Sequence, residues 1–463
     1  MNILESFEHK LRSAADPIAA FQSGEIGKGM AIQTPFGEKP LIYADYVASG
    51  RALKQVEEFV MTEVLPFYAN SHTEQSHCGA TMTRMREAAR AMIARKCGAT
   101  TEDHAVIFGG SGATTGLNQL VHLFDIKNTP SVVLVGPYEH HSNLLPWRES
   151  GAKVIEIAEA KEGGVDLNNL KEVLEAQAEG VQIIGAFSAA SNVTGVCTDP
   201  APVSELIKSF GGKVIWDYAG GGPYLPMSMK PGGVEIDALV FSPHKFIGGP
   251  GASGVLILRR DAIRTTQPSR PGGGTVVFVN AEQHDYVARL EQREEGGTPN
   301  VIGDIRAALA VIVKDVVGQE YITKRNQELS ARAFAAWQNV EGLRLLAPNN
   351  QQRLPIFSFV PLMPNGQRID YKKFTTALSE QYGIQARGGC SCAGPYVHDL
   401  LSIGEDESAF LRGELLAGRD DDKPGFVRLN FSYLMADETV AYILEAIRAL
   451  ISAYGKSDAV AAA

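Results

Sequence analysis

Short apolar, β-branched runs alternate with helical stretches from about residue 40 to 310. The runs include Ala105-Val106-Ile107-Phe108, Val132-Val133-Leu134-Val135, Val154-Ile155-Glu156-Ile157, Ile183-Ile184-Gly185-Ala186-Phe187, Val214-Ile215-Trp216 and Ala238-Leu239-Val240-Phe241. The segments Leu167 to Ala178 and Pro202 to Phe210 read as helices between some of them. Such alternation predicts an α/β domain with a mostly parallel sheet and covering helices. Residues 1 to 30 read as an amphipathic helix and a loop, an N-terminal arm expected to pack on the small domain. A long helix is predicted from Ile302 through Ala307-Ala308-Leu309-Ala310-Val311-Ile312-Val313. A smaller α+β domain follows, with strands near Leu354 to Phe359 and Phe426 to Asn430 and a helix around Ala441 to Ala453. The expected division is thus an arm (1–30), a large domain (31–310) and a small C-terminal domain (311–463). The tail Ala459 to Ala463 reads as frayed, and no internal repeat is evident.

Composition narrows the class. A chain of 463 residues with 44% hydrophobic content exceeds one small core. Its formal net charge of -10, without a basic block, argues against nucleic acid or an anionic membrane as partner. No apolar run approaches the roughly 20 residues of a membrane span. The first ten residues carry charges throughout and lack the apolar core of a signal peptide. A cytoplasmic location is expected. The cysteines, Cys78, Cys97, Cys197, Cys390 and Cys392, form no disulfide framework and suit a reducing compartment. Cys390 and Cys392 flank one serine, too close for an ordinary structural bridge.

The strongest chemical signal is Ser242-Pro243-His244-Lys245, followed by the glycine-rich run Gly248 to Gly254. A lysine confined after a strand among small residues can lose its proton, because burial disfavours the ammonium form. Its neutral amine can then form a Schiff base with an aldehyde cofactor. Gly109-Gly110-Ser111-Gly112-Ala113-Thr114-Thr115-Gly116 joins a strand to a helix, where free N–H groups suit a phosphate. It lacks the Gly-Lys-Ser/Thr ending of a Walker loop. Asp217 lies at a strand's C-terminal end, where open α/β sheets bind ligands, and could keep a pyridine nitrogen protonated. His140 and His141 follow another strand, and a histidine there could stack on a cofactor and shuttle protons. Adjacent histidines point apart and no further spaced ligand set is present, so no metal is expected. Arg387-Gly388-Gly389-Cys390-Ser391-Cys392-Ala393-Gly394-Pro395 reads as a loop that places thiols near a fixed positive charge. A metal half-site or a redox pair are other readings of Cys-x-Cys, but no second cysteine cluster completes a zinc site.

Taken together these motifs resemble the class V aminotransferase family of PLP enzymes, and within it the group II cysteine desulfurases and selenocysteine lyases. The match runs from Tyr43-Ala44-Asp45 to the last helix. Its ordered motifs are Gly112-Ala113-Thr114, Glu139-His140-His141-Ser142-Asn143, Ser191-Asn192-Val193-Thr194-Gly195, Asp217-Tyr218-Ala219, Ser242-Pro243-His244-Lys245, Gly297-Thr298-Pro299-Asn300 and Arg387 followed by Cys392. The resemblance implies the PLP-dependent transferase fold type I. It implies that Lys245 holds pyridoxal 5'-phosphate and moves protons at the substrate Cα. Asp217 would pair with the pyridinium, His140 would stack on the ring, and Ala219 would pack on its other face. Thr114, Ser242 and His244 would bind the phosphate, helped by Thr298 from the neighbouring subunit of a homodimer. Asn192 would lie near the ring oxygen and the substrate. Arg428 would hold the substrate carboxylate, with Arg387 secondary. Cys392 is the implied nucleophile, taking sulfur or selenium from a cysteine-type substrate as alanine leaves. Cys390 falls two positions early.

The chain departs from the family at three places. Gly220 stands where glutamine usually follows the alanine, so Asn192 or water must serve the ring oxygen. Tyr224 replaces a histidine after the nearby proline. The segment between Cys392 and Arg428 is long, and its run Gly418 to Gly425 reads as a solvated loop. That segment could instead reshape the mouth of the site or a docking surface for a sulfur-acceptor protein. Two other functions remain open to the sequence: a PLP-dependent C–S lyase or other class V enzyme on a specialised amino acid, without a persulfide, and a sulfur-carrier or redox scaffold without PLP.

Overall fold

The computed structural model describes residues 2–70, 74–419 and 423–461, those after Lys456 by backbone alone. Two compact units divide the chain. The larger comprises Met1–Ile26, Ser49–Ala190 and Thr198–Tyr321, and the smaller Gly27–Ala48, Ser191–Cys197 and Ile322–Ala463.

The larger unit is built on a seven-stranded sheet: β1 (His104–Gly109), β2 (Ser131–Val135), β3 (Lys153–Glu156), β4 (Gln182–Ser188), β5 (Lys213–Asp217), β6 (Ala238–Phe241) and β7 (Gly254–Arg259), in the order β1-β7-β6-β5-β4-β2-β3. Pairings β2–β3, β2–β4, β4–β5 and β5–β6 are parallel, while β7 runs antiparallel to both β1 and β6. The six apolar runs read from sequence therefore all become strands. The seventh strand fills the slot between β1 and β6, and its reversed direction was not foreseen. The runs lack polar alternation because helices cover the sheet. Ile107, Val133, Ile184, Ile215, Val240 and Leu256 join one buried cluster with Leu117, Leu120 and Trp147.

Helix α1 (Ile3–Arg12) starts with a capping box, in which Asn2 and Glu5 satisfy each other's backbone N–H groups. It buries Leu4, Phe7 and Leu11. Its neighbours are α2 (His77–Lys96) and, after α3 (Ala113–Leu123), α4 (Val301–Val317), all of the larger unit. This corrects the expected placement of the arm on the small domain: residues 1 to 26 group with the large unit, because the apolar stripe of α1 lies against its helices. The division also falls at Tyr321 rather than 310. Helix α4 is buried through Ala307–Lys314 and so belongs to the large unit's core.

The smaller unit contains a four-stranded antiparallel sheet of β8 (Leu343–Leu345), β9 (Ile356–Pro361), β10 (Arg387–Gly389) and β11 (Phe426–Asn430), ordered β8-β9-β11-β10. Helices α5 (Tyr371–Tyr382), α6 (Gly394–Leu401), α7 (Glu405–Leu416) and α8 (Asp437–Ala461) complete it. The segment between Cys392 and Arg428 is thus largely two helices, and residues 387 to 395 are not all loop. Asp420, Asp421 and Asp422 of the charged run lie outside the described residues.

Candidate active site

Within the larger unit, β1, β2, β4, β5 and β6 end at one edge of the sheet, and four of the motifs follow those ends. At the end of β1 the backbone turns through Gly112 (φ 61°) into α3. A Cβ on Gly112 would lie 2.7 Å from Ser242 Oγ and 2.9 Å from His244 Cε1, so only glycine permits this approach. Ala113 N–H donates to Ser242 Oγ (2.9 Å), and Thr114 Oγ1 donates to Ser142 Oγ (2.8 Å). The helix N-terminus, Thr114, Ser242 and His244 therefore share one corner. Burial, aided by the Lys245 charge, pushes His244 down to about 4, leaving it neutral at pH 7.

Asp217 ends β5 and is buried (3% exposed). Its Oδ1 accepts a hydrogen bond from Ala219 N–H (2.7 Å). Burial pushes its carboxyl up to about 6, against the Ala219 bond and the positive Lys245 nearby. Ala219 and Gly220, which follow, are half-buried. Lys245 is half-buried in the turn Pro243–Lys245 after β6. Gly50 N–H bonds His244 O (2.9 Å) and Gly249 N–H bonds Phe246 O (3.0 Å), clasping the turn from both sides. A Cβ at Gly249 would fall 1.8 Å from Pro243 O, and one at Gly50 would fall 1.9 Å from Phe246 O.

Ser142 N–H donates to His140 Nδ1 (3.1 Å), which leaves the proton of the neutral ring on Nε2. Beneath it lies Glu139, to which sequence reasoning assigned no role. Its carboxylate accepts from Gly136 N–H (3.1 Å), Ser188 N–H (2.8 Å), Ser188 Oγ (2.6 Å) and Asn143 Nδ2 (2.5 Å). Burial pushes this carboxyl up to about 8 even against those donors. Glu139 thus ties the His140 turn to the end of β4. Its signal in the sequence was the unbroken polar run Glu139 to Asn143 shortly after a strand.

Thr298 is exposed. Its loop is anchored by Glu295, which binds Arg86 (2.7 Å), Arg90 (2.5 Å) and Phe108 N–H (2.7 Å). Thr298, Gly109, Gly110 and Arg270 line a cavity of about 200 Å³.

The smaller unit assembles a second group. Ala44 O accepts from Asn430 N–H (2.9 Å), setting Asp45 beside β11. Arg428, 3% exposed, binds Asp45 Oδ1 (2.7 Å) and donates to Asn192 O (3.1 Å). Arg387 lies directly opposite Arg428 across β10 and β11 and binds Asp45 Oδ2 (2.9 Å). One carboxylate therefore serves two guanidinium groups, leaving a net positive charge. Burial lowers the pKa of Arg428, with Asp45 opposing. Asn192 Nδ2 donates to Ser391 O (2.8 Å), so Asn192 holds the cysteine turn. Asn192 Oδ1, Ser391 Oγ and Arg428 Nε are buried without hydrogen-bond partners among the described residues, a set of orphans suited to a polar ligand. Cys392 is exposed and Cys390 half-buried. Asp45, the shared counter-ion, was not among the site residues read from the sequence. Of the departures, Tyr224 is buried and its carbonyl accepts from Gln319 Nε2 (2.8 Å).

Among the described residues, no group of three or more His, Cys, Asp or Glu is placed to hold a metal ion, and no helix is long and apolar enough to cross a membrane.

An aspartate ending one strand and a lysine after its neighbour, at the sheet edge where hydroxyls meet a helix N-terminus, define a class, and comparison with known proteins agrees with it. The family model for aminotransferase class-V matches residues 42–441, and the chain belongs to that family. Among curated relatives, a probable cysteine desulfurase of Pyrococcus abyssi is 27% identical over 381 residues, covering 80% of this chain and 89% of the relative. A probable cysteine desulfurase of Mycobacterium leprae is 29% identical over 334 residues, covering 68% and 75%. Solved structures share the fold. A cysteine desulfurase from Escherichia coli superposes with TM-score 0.74 at 21% identity, covering 95% of this chain and 99% of that one. The apo cysteine desulfurase of Thermococcus onnurineus gives 0.73 at 24% identity, covering 89% and 95%. The shared architecture is fold type I of the PLP-dependent transferases, as expected.

Proposed function

We propose that the protein is a PLP-dependent cysteine desulfurase, removing sulfur, or selenium, from a cysteine-type substrate through Cys392 and releasing alanine. The observation that carries this reading is the gathering of Lys245, buried Asp217, Thr114, Ser242 and His244 at one edge of the sheet. The fit to PLP rests on that edge: Gly112 leaves no room for a side chain where a helix N-terminus and two hydroxyls meet, and Asp217 is a buried carboxyl whose pKa burial raises. PLP, when bound, supplies an electron sink for charge developed at the substrate Cα. Lys245 would carry it and move the Cα proton, and Asp217 would hold its ring nitrogen protonated. His140 and Ala219 would pack on its two faces. Thr114, Ser242, His244 and the N-terminus of α3 would hold the phosphate, with Thr298 reaching it from the neighbouring subunit of a homodimer.

Arg428 would hold the substrate carboxylate, with Arg387 secondary, and Asn192 would lie near the substrate. The Cys392 thiolate would attack the substrate sulfur, forming an S–S bond as the Cβ–S bond breaks. The terminal sulfur would then pass to a reductant or to a sulfur-acceptor protein. A cytoplasmic location fits this chemistry, since exposed thiols stay reduced there. Incubating the PLP-loaded protein with L-cysteine and measuring alanine, pyruvate and sulfide tests the reading. Alanine with sulfide supports it, and pyruvate with ammonia supports a C–S lyase instead.

Two expectations follow for individual residues. Asp217→Asn should slow deuterium exchange at Cα of a bound amino acid by about 10²–10³-fold while PLP stays bound, because a preorganised charge is lost from a low-dielectric site. Unchanged exchange would remove Asp217 from the role. Arg428→Lys should cost about 1.5–3 kcal/mol of carboxylate binding, a rise of roughly ten- to hundred-fold in KM. Lysine keeps the charge but not the planar fork, so a normal KM in this variant would place the substrate elsewhere.

A further inference from the structure

The turn that carries Cys392 holds a second thiol that the proposed reaction does not use. Cys390 follows β10 and Cys392 precedes α6, with Ser391 alone between them. Ser391 (φ 53°) and Cys392 (φ 56°) both lie in the left-handed region and form a turn. The turn curls the chain, whereas an extended one would hold the flanking residues apart. Disulfides require Cα atoms about 4.4–6.8 Å apart. Asn192 Nδ2 pins the turn at Ser391 O, and Ala393 N–H closes it onto Cys390 O (3.4 Å). Both thiols are free, Cys392 exposed and Cys390 half-buried. Cys97 and Cys197 differ, because burial pushes each thiol up to about 12 and out of exchange chemistry.

We propose that Cys390 is a resolving thiol, and that the protein thereby releases inorganic sulfide by itself. The inference rests on the desulfurase reading. The Cys390 thiolate attacks the Cys392 Sγ of the persulfide, and a Cys390–Cys392 disulfide forms. The bond from Cys392 Sγ to the outer sulfur breaks, and that sulfur leaves with the electron pair as hydrosulfide, taking up the proton that Cys390 gave. The sulfane sulfur is reduced and the two thiols are oxidised, so no external oxidant is needed. A bridge across one intervening residue is strained and therefore easily reduced. Two equivalents of a low-molecular-weight thiol, or one protein dithiol, reopen it for the next turnover.

The test has two arms, each with peptide mass analysis after rapid acid quench and alkylation. In the first, PLP-loaded protein receives less than one equivalent of L-cysteine without added reductant. In the second, inorganic polysulfide supplies sulfur to the thiols without catalysis. Wild-type protein should yield a peptide spanning both cysteines that has lost two hydrogens, together with free sulfide. Cys390→Ser should form the same first-turnover alanine, retain one added sulfur on Cys392, and release at least ~10-fold less sulfide, since a neighbouring thiol acts at high effective concentration. A wild-type persulfide that persists, with sulfide release equal in the two proteins, overturns the proposal and leaves the desulfurase reading intact. A disulfide with polysulfide but no alanine from cysteine leaves the resolving chemistry intact and overturns the desulfurase reading.

Discussion

Lys245→Ala is expected to lose the borohydride-trapped PLP adduct outright and to lower alanine formation from cysteine by about 10⁴-fold or more, the scale of losing both covalent attachment and a positioned acid–base group. The turn explains why no neighbour can substitute. Lys245 N–H bonds Ser242 O (3.0 Å), and Gly50, Gly248 and Gly249 wrap the backbone on both sides. The glycines at 50 and 249 permit approaches that any Cβ would block. Lys314, a buried lysine of the larger unit, is committed to the carbonyls of Gly222 (2.6 Å) and Leu225. Burial there pushes it down to about 8. It is held by the loop after Asp217 and serves as a brace. Intact mass after borohydride reduction checks the assignment, and an adduct surviving in Lys245→Ala would refute it.

Cys392→Ala should stop alanine formation from cysteine, by at least ~10³-fold, while PLP binding persists, because the acceptor of the sulfur is gone. Exposure makes the Cys392 thiol available to a substrate sulfur. Product formation at the wild-type rate in this variant would end the desulfurase reading and favour C–S lysis. Comparing alanine with pyruvate in the same samples separates the two outcomes.

The residues of the larger unit's site were legible because each follows an apolar strand in its own local sequence. Asp217 after Val214-Ile215-Trp216, and Lys245 shortly after Ala238–Phe241, are placed by chain direction once the runs are strands in a parallel sheet. Glu139 was harder to read. It looks like any polar residue after a strand, and its role lies in four hydrogen bonds, two of them to Ser188 on β4. Asp45 was harder still, because its two arginines stand more than 340 residues away in sequence.

By itself, then, the sequence determined the six parallel strand segments, the strand-end lysine and aspartate, and the glycine turn into α3, since periodicity and turn chemistry are local properties. Only the tertiary structure decided the antiparallel β7 between β1 and β6, the docking of α1 on the larger unit, the Glu139 anchor and the Asp45 bridge between Arg387 and Arg428. Those depend on which distant segments share a sheet or a buried charge. Their energies arise from long-range pairing and desolvation, which leave no periodic mark on the chain.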